Sequence, residues 1–181
     1  MWEKISRYYP PWLELLPLIL FISVFNYINS NYELLPDVMP THFGPSGMPD
    51  SWSKKSLWSV YGPLIIGLVV YVSITLTNIF LLIRPDDPRK VVNIPERNKD
   101  ILGPARLEEI RAFTVKGLLV LNIIVAAMIA YLSYVATNTA LGLSQGLGSL
   151  MWFFVAAIML TSSYLTIKVL LMTSTSRLKR G

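Results

Sequence analysis

The stretch Glu33-Leu-Leu-Pro-Asp37-Val-Met-Pro-Thr-His42-Phe-Gly-Pro-Ser-Gly-Met-Pro-Asp50-Ser-Trp52-Ser-Lys-Lys55 is a polar interval set between two strongly apolar runs. Pro36, Pro40, Pro45 and Pro49 each fix their own φ and push the preceding residue towards extended geometry, while Gly44 and Gly47 permit the positive φ of a tight reversal. Such a segment has little backbone entropy left to lose, so it reads as an ordered loop and not as a tether. It carries the chain's single histidine, His42, together with Asp37, Phe43, Asp50, Trp52 and Lys54. These side chains suit a proton, a cation, a polar ligand or another protein's loop.

On either side of this interval the composition leaves the soluble range. The chain has 181 residues, 53% of them apolar and only 15% charged, with a mean hydropathy of +0.50. This balance points to a bilayer. The net charge of +5 does not indicate nucleic acid, because the basic residues flank apolar runs and do not form a patch interleaved with aromatics. The absence of cysteine removes disulfides, thiolate chemistry and iron–sulfur ligation, and a lone histidine supplies a transition-metal site poorly. No cofactor or metal is therefore expected.

Four membrane spans are predicted, at about 12–29, 63–83, 115–135 and 147–172, each long enough to cross the hydrocarbon core. The first lacks a small-residue cleavage site and reads as a retained span, kinked near its start by Pro17. Asp50 is expected to cap a short interfacial helix bearing Trp52 and Trp58, with Pro63 separating that helix from the second span. Pro104 suits the first turn of another interfacial helix leading into the third. Arg84, Arg89, Lys90, Arg97, Lys99, Arg106 and Arg111 crowd into residues 84–111, whereas 136–148 carry no charge. Under the positive-inside rule both termini, including the Arg177-Leu-Lys-Arg tail, and the 84–111 loop face the cytoplasm of a cell-membrane protein. Loops 30–58 and 136–148, and with them the signature loop 33–55, then face outward. The expected fold is a single all-α integral membrane domain, a four-helix bundle with an ordered Pro/Gly-rich outer loop.

The order Leu35-Pro36-Asp37, Pro40-Thr41-His42-Phe43, Gly47, Pro49-Asp50, Trp52 and Lys54 resembles the signature loop of the SdpI-like family, membrane proteins named for immunity to a secreted sporulation-delaying toxin. The likeness covers roughly the first third of the chain. Gly44 stands where that pattern has Asn or Asp, and Ser51 where Gly is usual. The resemblance implies membrane topology more directly than it implies a function.

Inside the membrane, Gly67, Tyr71, Thr75 and Asn78 share one face of the second span, and Asn122, Ala126, Ala130 and Ser133 share one face of the third. Small residues allow close approach and asparagines hydrogen-bond between helices, so this is either a packing seam in which Asn78 and Asn122 pair or a polar path. Glu14, Lys116 and Lys168 lie near the cytoplasmic ends of spans, where snorkelling is cheap. No nucleophile elbow, metalloprotease pair or phosphate loop occurs.

The reading is a non-enzymatic membrane protein, embedded in lipid, that recognises an extracytoplasmic partner through Asp37, His42, Phe43, Asp50, Trp52 and Lys54. That partner is a toxin, a larger membrane complex or a second copy of the chain. The alternative is a transporter or transporter subunit using the Asn78 and Asn122 seam. A third reading is a membrane enzyme using Asp37, His42 and Asp50, in which a carboxylate orients the imidazole, a group that as a residue type titrates near pH 6.5.

Overall fold

A computed structural model describes residues 1–174, and the Arg177-Leu-Lys-Arg segment read as a cytoplasmic tail lies outside them. Of the described residues, 75% are helical. Its elements run α1 (Trp2–Ser6), α2 (Leu15–Asn31), β1 (Val38–Phe43), β2 (Pro49–Lys54), α3 (Leu57–Thr77), α4 (Glu96–Ala140) and α5 (Gly148–Thr173). Among the described residues four segments are long and apolar enough to cross a membrane: Pro11–Leu34, Leu57–Ile83, Glu96–Ala140 and Gly148–Thr173. The protein is therefore a multi-pass, all-α membrane protein with one small two-stranded sheet.

Two local readings of the sequence are corrected. Asp50 lies in β2 and caps no helix. The cap is Ser56, whose hydroxyl accepts from the Ser59 N–H at 3.1 Å while Ser59 Oγ accepts from the Ser56 N–H at 2.9 Å. This reciprocal pair satisfies two donors of the first turn and fixes where α3 begins. Pro63 is inside α3 and not between two helices; as the seventh residue of the helix it removes the N–H that would otherwise bond the Ser59 carbonyl. The ordered proline-rich loop takes the form of a β-hairpin.

α4 is broken where Gly103 takes φ 73°, and Pro104 opens the longer part of the element, as its missing N–H allows. α3 continues into a π-helical turn, Asn78–Ile83, ended by the Arg84 N–H donating to the Ile79 carbonyl at 2.8 Å. Such turns are rare and occur mostly as a single turn within an α-helix.

The residues fall into two compact units. One comprises residues 14–72 and 123–158. Its core gathers Phe21, Ile28, Leu35, Met39, Val60 and Leu64 with Tyr71, Ala126 and Ala130. Gly67 allows the closest helix approach, since a Cβ there would sit 2.5 Å from Ile129 and 3.1 Å from Phe21. The Tyr71 hydroxyl donates to the Glu14 carboxylate at 2.8 Å. A second cluster joins Val135, Leu147 and Met151.

The other unit comprises residues 1–13 and 73–122 and, among the described residues, those from 159 onward. Here Val92, Leu107, Ile110 and Met172 form the apolar core, rimmed by charge. Lys4 Nζ donates to Asp86 at 2.6 Å, the Tyr8 hydroxyl donates to Glu108 at 2.8 Å, and Arg111 pairs with Glu108 and donates to the Pro85 carbonyl at 2.7 Å. The Asn78 and Asn122 side chains do not bond each other. Asn78 Nδ2 donates to the Val115 carbonyl at 3.1 Å, and Asn122 Nδ2 donates to Thr75 Oγ1 at 3.0 Å. Each asparagine ties the second span to the third at its own level.

Candidate functional site

Pairing in the hairpin runs Val38 with Lys54, Met39 with Ser53, Pro40 with Trp52, His42 with Ser51 and Phe43 with Pro49. The ladder passes over Thr41 on one strand and Asp50 on the other, which are irregularities of the kind that re-aim side chains and increase local twist. Both strands of such a ribbon have an open edge, so Pro40 and Pro49 cost no ladder bond on that side. The interval is ordered, as its prolines and glycines predict, and its order is that of an isolated ribbon: proline excludes a central strand, and among the described residues there is none.

The strand irregularities bring His42 and Asp50 together. His42 Nδ1–H donates to Asp50 Oδ1 at 2.5 Å, leaving Nε2 as the ring's second nitrogen. The two side chains are 66% and 50% exposed, so their attraction is screened and contributes on the order of 0–1 kcal/mol. Its consequence is orientation of the imidazole and not stability of the fold. Gly44 belongs to the same arrangement, because a Cβ there would lie 2.8 Å from Asp50 Oδ2. Asp37 sits exposed at the foot of the hairpin, with its backbone carbonyl accepting from the Lys55 N–H at 2.7 Å. Trp52 and Lys54 are exposed on β2, and Phe43 is half-buried against the Val135, Leu147 and Met151 cluster. Among the described residues, no group of three or more imidazole and carboxylate side chains could hold a metal ion.

The hairpin is held at both ends. At its foot, Lys55 Nζ donates to the Tyr32 and Leu35 carbonyls at 2.7 and 3.2 Å and lies 4.4 Å from the Tyr32 ring centre. A cation there satisfies carbonyls left open where the first span ends. At its tip, Gly47 takes φ 77° and its carbonyl accepts from the Leu147 N–H at 2.9 Å. A Cβ on Gly146 would lie 2.2 Å from that same carbonyl oxygen. The Tyr131 hydroxyl in turn donates to the Leu147 carbonyl at 2.8 Å.

Behind the hairpin lies a pocket of about 590 Å³. Thr41, His42, Ser53, Ser56 and Ser59 supply its polar wall. Ile66, Met128, Leu132, Ala136, Met151 and Val155, from α3, α4 and α5, supply its apolar one. Trp58, 64% exposed, also lines it. Sequence reasoning found the hairpin's side chains but not these helical ones, which are ordinary apolar span residues until the tertiary structure brings them together. Sequence did carry one signal of the anchor: an uncharged connection between long apolar runs with glycines at 142, 146 and 148.

Residues 18–68 match a domain of unknown function, DUF1648. The match takes in most of the first span, the whole hairpin and the start of α3. No curated protein and no solved structure matches the chain.

Proposed function

We propose that this is a non-enzymatic membrane protein whose hairpin recognises a partner presented outside the cytoplasm. The observation that carries the reading is a rigid, doubly anchored ribbon that keeps His42, Trp52 and Lys54 exposed. Exposed aromatic and polar groups on a pre-ordered support lose little entropy on binding, which is how recognition surfaces gain affinity. The DUF1648 match covers this ribbon, and SdpI-like proteins commonly carry that domain, which supports a toxin-immunity type of recognition in a cell membrane. The basic residues of 84–111 support an outward hairpin and cytoplasmic termini.

For the polar-path alternative, the Nδ2 groups of Asn78 and Asn122 are each engaged in a bond between helices, while the buried Asn78 Oδ1 has no partner among the described residues. An enzyme built on Asp37, His42 and Asp50 is supported by one contact, that of His42 with Asp50, which leaves Asp37 out of the pair.

A photo-reactive amino acid at Trp52 tests the proposal in intact cells. The expected result is a discrete protein adduct, present with Trp52 labelled, lost when His42→Ala is added, and absent when the probe stands at Leu170. A second copy of the chain as the adduct would make the recognition homotypic. Adducts of equal yield at both positions, or none at Trp52 with protein of normal abundance, would defeat the reading.

A further inference from the structure

The pocket behind the hairpin is divided by chemistry. Its hydroxyl and imidazole groups come from Thr41, His42, Ser53, Ser56 and Ser59, all in the hairpin or at the start of α3, while its apolar wall comes from span residues. A hairpin emerging between two spans sits where the hydrocarbon core meets the headgroups, so the two walls face two solvents. Its volume, about 590 Å³, falls in the range of sites that enclose a small molecule. Met128 and Met151 add flexible, polarisable surface that adapts to an irregular apolar guest. His42 is the one titratable group in the lining, and Asp50 already engages its Nδ1, so no free cation awaits an anionic ligand.

We propose that this pocket binds an uncharged single-chain amphiphile drawn from the bilayer. Its hydrocarbon chain lies against Met128, Leu132 and Val155, and its hydroxyl-bearing head bonds Thr41 and Ser53. The inference stands apart from partner recognition, which concerns the hairpin's outer groups.

The test uses the full chain in phosphatidylcholine nanodiscs with monooleoylglycerol brominated on its acyl chain, since bromine quenches tryptophan on contact and Trp58 lines the pocket. Quenching should saturate at low mole fraction, and Trp58→Phe should remove the saturable part while leaving the linear part due to other tryptophans. Ala136→Leu in α4 and Val155→Phe in α5 should each raise the half-saturating mole fraction at least tenfold with unchanged elution and melting. Thr41→Val should raise it about fivefold, the loss of one neutral hydrogen bond. Brominated lysophosphatidylglycerol should bind at least tenfold more weakly. Quenching that rises linearly and identically in parent, Ala136→Leu and Val155→Phe would overturn the proposal, and equal binding of the anionic lipid would overturn the uncharged head. If Ala136→Leu abolishes the Trp52 adduct but leaves lipid quenching intact, the pocket belongs to the protein partner and this inference falls. Loss of the adduct with His42→Ala alongside unaltered chain binding supports both.

Discussion

His42 is held by one short bond to a carboxylate, and the room for that carboxylate depends on the absence of a side chain at Gly44. Gly44→Ala should therefore displace Asp50 from His42. Because the atom in conflict is the free end of a side chain, the hairpin itself should survive, with a stability change within about 0.5 kcal/mol. The single histidine gives one set of imidazole signals in a nuclear magnetic resonance spectrum. Those signals should move alike in Gly44→Ala and Asp50→Asn, and an unmoved imidazole in Gly44→Ala would show that Asp50 does not orient it. Gly44 is also one of the two residues that depart from the SdpI-like pattern, standing where Asn or Asp is expected. The structure gives that departure a physical sense, since a side chain at 44 competes for the space Asp50 occupies.

Among the elements, the hairpin and α1 lend themselves to prediction. Gly142 and Gly146 lie in the same connection, but Gly142 has positive φ with open space around it, whereas Gly146 abuts the Gly47 carbonyl. Gly142→Ala should cost about 1–2 kcal/mol from backbone strain. Gly146→Ala should cost more, because backbone must move on both sides, and it alone should expose the hairpin tip to protease; equal effects of the two would mean that the tip is not anchored there. Helix capping gives a second contrast: Ser56→Ala should cost about 1 kcal/mol and Asp50→Ala a few tenths, by thermal unfolding. For α1 the relevant variable is pH. Burial, helped by the hydrogen bond to Glu108, pushes the Tyr8 phenol up from 10.0 to about 12. A phenol held protonated in the folded state contributes stability that is complete below pH 10 and is lost as pH rises from 10 towards 12. Lys4 beside Asp86 lowers that carboxyl below its ordinary 3.8, so the contribution of this pair is present at neutral pH and is lost on acidification below that value. Tyr8→Phe should remove the alkaline loss and leave the acid one, as read by protease access to residues 1–13; an unchanged alkaline profile would exclude Tyr8 as its source.

The whole molecule is tested by its orientation. Since the chain contains no cysteine, single cysteines report it cleanly. An impermeant thiol reagent on intact cells should label Ser46→Cys and Leu143→Cys, both at exposed positions, and spare Asn93→Cys and Ser174→Cys. Leu143 is preferred to Thr139, which is buried and hydrogen-bonded to Ser144. The reverse labelling would turn the hairpin to the cytoplasm and remove the proposed partner with it. The asparagines make a smaller prediction at this scale. Bonds of their kind contribute about 0.6 kcal/mol on average and up to about 1.7. Asn122→Leu should therefore lower stability modestly, and a cost beyond several kcal/mol would mean that Asn122 does more than join Thr75.

The sequence by itself determined the four apolar segments, because a bilayer reads length and hydropathy and both are written residue by residue. It also determined that Glu33–Lys55 is ordered, because proline and glycine restrict or free their own φ without outside help. It placed Pro104 in a first turn, since the missing N–H is harmless only there. Tertiary structure decided the rest. Whether the proline-rich interval became a loop or a ribbon depended on an isolated pair of strands with open edges to receive Pro40 and Pro49, which no local signal shows. Whether Asp50 capped a helix or held His42 depended on two skipped positions in a strand register, a long-range relation between residues eight apart. Ser56 and Asp50 are both good caps by residue type, and only the point at which the chain turned into α3 chose between them. The pocket is legible from neither periodicity nor motif, because its walls come from the hairpin and three helices, and Ile66, Met128 and Val155 look like any lipid-facing residue until packing gives them a common side.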